Sequence, residues 1–329
     1  MSHFQENLSV SSENSLARIT RRKVMAAKYI ARQEFYRVCR KTDFTWRYIA
    51  NLRPWLEYQK IRQPLTAVQH RLVSNLVHNG IALTSVNEFL GHPVLFHELE
   101  RGVQQREELL ADKIAKARAS AGQGNEIKSY VFDLFERRHL FEPEDIFIRF
   151  AVRPEIATVA NAYFGMLTKL SFCNVWHNLP MRGKARESQL WHRDPEDRYI
   201  LKLFVYMTDV DEESGPLSYA PGTHARGRIR NAPEATLCKE GPAYNYRTDD
   251  EQMGRVVNKE NWITAVGPKT TMVFVDTSGF HKGGLVRRND RILYNCMYNS
   301  LATTYPQSLR PKLSHLPPLG KAETFLLQD

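Results

Sequence analysis

Only four of the 329 residues are cysteine, and no two of them form a CxxC pair. Cys39, Cys173, Cys238 and Cys296 are scattered, which argues against a disulfide framework or a thiolate zinc site and fits reduced thiols in a cytoplasmic protein. No window approaches the unbroken apolar run of about 20 residues that a membrane-spanning helix needs. The polar stretch Met1–Ser15 has no apolar core and does not read as a secretory signal. No internal repeat is visible, and no recognised nucleic-acid-binding module is present. What remains is an ordinary globular composition, 42% apolar and 25% charged, in a chain long enough for one large β-domain with helical additions.

The net charge of +10 is unevenly placed. Residues 1–63 hold 13 Lys/Arg against 5 Asp/Glu, which accounts for +8 of the total. Val24, Ala27, Ala31, Phe35 and Val38 recur every three or four residues among these charges, so the region reads as a basic helix with one apolar side. Two functional readings are a nucleic-acid surface and an anionic membrane surface. The preferred expectation is an extension whose apolar side packs on the main domain, with nucleic acid an unlikely partner.

Helical patterns are expected at about 17–41, 44–61, 66–78, 94–120 and 154–164, after a Ser- and Asn-rich segment over residues 1–16 that reads as disordered. A first strand is expected at 81–86. From residue 168 the texture changes to short strand-like runs at 170–178, 188–194, 200–208, 216–220, 262–266, 271–276 and 291–299, separated by Gly, Pro, Asn and Asp. Many short strands without intervening helices indicate a mixed fold with a mainly β core, a double-stranded β-helix or jelly-roll barrel. The expected division is a basic helical extension (1–63), the β-domain with flanking helices (64–305) and a C-terminal tail (306–329).

The most informative stretch is Leu190-Trp191-His192-Arg193-Asp194, followed 89 residues after His192 by His281 and 10 further on by Arg291. Residues i and i+2 of a strand face the same way, so His192 and Asp194 would project together. His281 follows the strand at 271–276, among Gly279, Gly283 and Gly284. Two histidines and a carboxylate suit non-haem Fe(II), and three protein ligands leave positions open for a co-substrate and dioxygen. Arg291 adds a planar fork of donors suited to a carboxylate. His177, His224, Asp209 and Asp276 are competing ligands, with His224 expected to support a turn. The run Asp209 to Glu213 suggests a calcium loop but has Ser214 where glycine is required and Ala220 where a carboxylate is required.

Around these residues the chain resembles the phytanoyl-CoA dioxygenase family. The likeness rests on Trp191-His192-Arg193-Asp194, Asp211-Glu212-Glu213-Ser214-Gly215-Pro216-Leu217, Ala220-Pro221-Gly222-Thr223-His224, and His281-Lys282-Gly283-Gly284 with Arg291. It implies an enzyme using Fe(II), 2-oxoglutarate and O2, in which His192, Asp194 and His281 bind iron and Arg291 pairs with the distal carboxylate of 2-oxoglutarate. It also implies dioxygen-driven decarboxylation to succinate and CO2, coupled to oxidation of a C–H bond in a small-molecule substrate. Relatives often carry a hydroxyl two residues after the distal histidine; here that position is Gly283. Asp194 argues against the related halogenases, which have a small residue in its place. Lys202, Phe204 and Tyr206 form one face of a strand and are candidate co-substrate or substrate contacts, although the alternation also allows Lys202 to face solvent. Asn174 and His177 are candidate substrate contacts or satisfied core polar residues. The alternatives are a nucleic-acid demethylase of the same chemistry and a non-catalytic metal-binding barrel.

Overall fold

The computed structural model describes residues 22–91, 93–120, 131–136, 145–233, 247–305 and 319–327. The expected disorder over residues 1–16 and most of the expected tail lie outside the described residues. Among those described, the strands are β1 (Ile81–Ser85), β2 (Val131–Asp133), β3 (Lys169–Asn178), β4 (Leu201–Tyr206), β5 (Leu217–Tyr219), β6 (Ile263–Ala265), β7 (Thr271–Asp276), β8 (His281–Gly283) and β9 (Arg291–Asn299). They form a six-stranded sheet in the order β1-β7-β4-β9-β3-β2 and a three-stranded sheet in the order β6-β5-β8. Every pairing is antiparallel. The mixed helix-and-sheet fold is as expected, but the sheets remain two open layers where a barrel was expected.

Alternation along β4 shows how the layers are held. Leu201, Leu203 and Val205 join a core that includes helical residues such as Leu72, Phe96, Phe150 and Tyr163. Phe204 and Tyr206, on the opposite face, join Ile81, Val273, Val275 and Leu293 of the large sheet with Tyr219 and Ala265 of the small one. The large sheet is thus buried on both sides, and every residue of β7 and β9 is buried.

Among the described residues, the helices of six or more residues are α1 (22–39), α2 (Leu52–Ile61), α3 (Ala67–Asn79), α4 (Val94–Leu109), α5 (Ala111–Ser120), α6 (Ile146–Ala151), α7 (Pro154–Phe164) and α8 (Lys321–Leu327). Thr66 and Gln69 close a capping box at the start of α3. Gly80 ends it at φ 83°, and a Cβ there would stand 2.2 Å from the Tyr219 hydroxyl oxygen, so both conformation and space require glycine. The expected helix at 94–120 breaks at Leu110, and a π-helical turn, Trp46–Ala50, interrupts the helix expected at 44–61. Ser85 ends β1 by capping the short helix Val86–Leu90. The short elements β2, β8, α6 and α8 had no periodic signal. Helix α8 buries Phe325, Leu326 and Leu327.

The expectation that the apolar side of the basic N-terminal helix packs on the main domain is corrected: the region is tied to the core through residues outside that side. Trp46 is fully buried, its ring 4.7 Å from that of Tyr199 and its Nε1 donating to Asp197 Oδ1 at 2.8 Å. Along α1, by contrast, Val24, Ala27, Ala31, Phe35 and Val38 are all exposed.

Candidate metal centre and cavity

The run expected as a strand at 188–194 is instead a 3-10 turn, Glu187–Gln189, followed by two isolated bridges. One of these bridges joins His192 to His281: each backbone N–H donates to the other residue's carbonyl at 3.0 Å. This close exchange pair places the two imidazoles side by side, with ring centroids 4.3 Å apart. Asp194 is fixed separately, its N–H donating to the Thr277 carbonyl at 2.9 Å. The convergence of His192 and Asp194 therefore rests on pairing with the segment around β8 rather than on regular strand alternation.

Ligand atoms of His192, Asp194 and His281 lie within 4.8 Å of one another. His192 Nε2 is 4.0 Å from Asp194 Oδ1, and His281 Nε2 is 3.9 Å from Asp194 Oδ2. Each histidine meets a backbone carbonyl through Nδ1, His192 with Leu190 at 2.8 Å and His281 with Gly279 at 3.0 Å. The carbonyl accepts, so Nδ1 carries the proton and Nε2 presents a lone pair towards the cluster. Burial, reinforced by the neighbouring His281, pushes His192 well below its ordinary range, and burial likewise lowers His281. Both are neutral imidazoles at neutral pH. Burial would raise the Asp194 carboxyl, but Lys202 and the two histidines override it and hold the group far below the usual range. Two neutral imidazoles and an ionised carboxylate are the donor set that a divalent iron requires, so the residues fit the metal.

The cluster opens on a cavity of about 490 Å³ between the sheets, which Arg291, Lys202, Phe204 and Tyr206 also line. Arg291 begins β9 opposite Asn178 and is buried. Its charge acts on Tyr206, whose hydroxyl burial pushes up to about 12 and which donates to the Ala265 carbonyl at 2.5 Å. Lys202 faces the cavity rather than solvent, but its partner is Asp194 Oδ2, at 2.6 Å. A Cβ at Gly283 would lie 3.9 Å from Arg291 Nη2, so the position where relatives carry a hydroxyl does adjoin this arginine.

Asn174 and His177 are not brought into the cavity. Asn174 lies on β3 opposite Asn295, and its Oδ1 accepts from the Val175 N–H. In place of Asn174, the next residues on that strand face, Trp176 and Asn178, line the cavity. His177 points to the other side, between Glu107 of α4 (Nδ1 to Oε1, 3.0 Å) and Asp290 (Nε2 to Oδ2, 2.5 Å). Arg118 of α5 holds Asp290 from the far side. Among the competing ligands, His224 is buried against the Val77 carbonyl at 3.1 Å, as its supporting role predicts. Asp276 accepts from Tyr163 at 2.5 Å, and Asp209 accepts from the Lys269 N–H at 2.8 Å.

Ser188, Gln189, Glu196, Arg247, Leu293 and Thr304 also line the cavity and were not singled out from the sequence. Ser188 and Gln189 sit directly before the HxD motif, a proximity that would have nominated them. Thr304 and Arg247 reach the cavity from distant segments, and nothing local marks them. Arg247 adds positive charge near His192 and His281 and helps to keep both neutral.

Two imidazoles and a carboxylate at the wall of an open cavity can hold a metal ion and leave room for exogenous ligands. The sequence model of the family described as phytanoyl-CoA dioxygenase matches residues 97–287, more than half of the chain, and the protein belongs to that family. Its class is that of the non-haem iron, 2-oxoglutarate-dependent oxygenases. Among solved structures, EctD from S. alaskensis with bound Fe is similar at a TM-score of 0.50, with 16% identity over 80% of this chain and 86% of that one. The apo form of EctD gives 0.50 at 17% identity, covering 77% and 86%. The epimerase SnoN in complex with Fe3+, α-ketoglutarate and nogalamycin RO gives 0.45 at 16% identity, covering 77% and 94%. At these identities the likeness concerns the fold. No curated protein sequence matches the chain.

Proposed function

We propose that the protein oxidises a C–H bond of a small-molecule metabolite, with Fe(II) held by His192, Asp194 and His281 and with 2-oxoglutarate anchored through its distal carboxylate by Arg291. The observation that carries this reading is the convergence of both Nε2 lone pairs and the Asp194 carboxylate on a cavity that Arg291 also lines. The two open sheets are read as the halves of a double-stranded β-helix, a jelly roll, with the cavity between them. A cytoplasmic location accords with the reduced-thiol composition.

Bound iron would supply dioxygen activation and oxidising power, with succinate and CO2 as products of the co-substrate. The chain's own tasks are positional. The backbone carbonyls of Leu190 and Gly279 fix the imidazole tautomers. Lys202 holds one Asp194 oxygen, which restrains the carboxylate's rotation. Phe204, Leu217 and Leu293 surround the space beside Arg291 with apolar groups, where an arginine–carboxylate pair is strengthened by exclusion of water. A cavity of about 490 Å³ lies in the range of small-ligand sites.

The test is succinate formation from 2-oxoglutarate by the Fe(II)-loaded protein across a panel of metabolites, with product masses read in parallel. The expected result is stimulation by a narrow set of compounds, a product heavier by one oxygen or lighter by two hydrogens, and loss of turnover in Asp194→Ala. Undiminished coupled turnover in Asp194→Ala would overturn the assignment.

A further inference from the structure

Helix α1 and the helical stretch after it present apolar side chains to solvent where a packed extension would bury them. On α1 the stripe Val24, Ala27, Ala31, Phe35 and Val38 is exposed throughout, Val24 by 47%, Phe35 by 48% and Val38 by 54%. The next stretch continues the feature with Phe44, Tyr48, Leu52 and Leu56, four residues apart, of which Phe44 is 65% exposed. Trp46 and Tyr58, on its other side, are buried and tie this stretch to the core. The outward apolar groups are therefore a surface of an anchored element.

The charge around them has one sign. Residues 22–62 contain eleven Lys/Arg and three Asp/Glu. Those three acids each meet a basic neighbour: Glu34 with Arg37, Asp43 with Arg47 and Glu57 with Lys60. Arg22, Lys23, Lys28 and Arg32 of α1 have no ion pair among the described residues. Exposed apolar side chains set among cations without an acidic partner suit a helix lying in a membrane interface, with apolar groups at the acyl boundary and basic groups among anionic headgroups.

We propose that residues 22–56 dock the protein on an anionic lipid surface. A second copy is disfavoured because two such arms would bring like charges together. Duplex or single-stranded nucleic acid would satisfy the cations but leave Val24, Phe35, Val38 and Phe44 without a counterpart. No helix among the described residues is long and apolar enough to cross a membrane, so the association is peripheral. The proposal is independent of the iron chemistry and would stand if that assignment failed.

The experiment is co-sedimentation of the full chain with phosphatidylcholine vesicles, with and without phosphatidylglycerol, across a salt series. Binding should be on the order of 100-fold tighter with the anionic lipid and should weaken as salt rises. Phe35→Asp combined with Val38→Asp, and separately Lys23→Glu combined with Lys28→Glu and Arg32→Glu, should each reduce binding at least about tenfold. Phe35→Leu should keep it. Thermal unfolding of all these variants should match the wild type, because the altered side chains are exposed. Equal binding to both vesicle types, no binding to either, a dimer broken by the Phe35/Val38 double variant in place of vesicle binding, or binding to duplex DNA or RNA but not to vesicles would each overturn the proposal.

Discussion

The cavity between the sheets and the helical arm at residues 22–56 are built from the same residue types and treat them in opposite ways. In the cavity, Lys202 is matched to Asp194 at 2.6 Å, and the two histidines are each tied to a backbone carbonyl. On α1, four cations have no acidic partner among the described residues, and apolar side chains beside them are left in water. Burial makes the difference, because a charge removed from solvent must be compensated locally whereas an exposed one is compensated by water and salt. Pairing separates a site from a surface more clearly than composition does.

The comparison breaks most readily at its hinge, where the arm enters the core. Trp46→Ala removes a fully buried ring and leaves the buried Asp197 without one of its donors. A loss of about 3–5 kcal/mol in unfolding free energy is expected by chemical denaturation. Val24→Ala, on the exposed stripe, should stay within about 0.5 kcal/mol of wild type in the same measurement. Similar costs for both would erase the distinction drawn between the two parts of the arm.

Within the cavity, Arg291→Ala should leave iron bound while weakening 2-oxoglutarate by about 30-fold or more, since truncating one partner of a buried ion pair costs about 2–5 kcal/mol. Calorimetric titration of the metal-loaded variant measures this. An unchanged affinity would move the anchor to another cation of the cavity.

A smaller effect sharpens the contrast at His177, which is buried and paired yet lies outside the cavity. Burial lowers this imidazole, but Asp290 and Glu107 outweigh burial and raise it to about 8. A raised folded value means that the stabilisation is complete below about pH 6.5 and is lost as pH rises through about 8. The shift corresponds to at most about 2 kcal/mol. The melting temperature of the wild type should fall over that interval, and His177→Gln should show a flatter profile. Parallel profiles would show that the network contributes nothing pH-dependent.

The convergence of His192, Asp194 and His281 on a cavity that Arg291 lines was legible because few orderings of those residue types suit one centre. The face of β4 was legible once Lys202, Phe204 and Tyr206 were set against Leu201, Leu203 and Val205, although the lysine's partner was not. Alternation says that a face exists and not what covers it. The same limit applies to α1, whose stripe predicted packing and is exposed. Which of the two readings of His177 applies is hidden for a related reason: one residue along β3 separates the cavity side, with Trp176 and Asn178, from the helix side. Thr304 and Arg247 were invisible because only the folded chain brings them to the cavity. The short strands β2 and β8 were missed, yet β8 places His281 beside His192.

If His192, Asp194 and His281 form one iron site, losing any one of them must abolish it. The most direct test is anaerobic Fe(II) binding followed by titration with 2-oxoglutarate, comparing the wild type with the three single alanine variants. The account predicts one Fe(II) per wild-type chain and a weak visible charge-transfer band on adding 2-oxoglutarate, with both absent from every variant. Full iron binding and the same band in all three variants would contradict it.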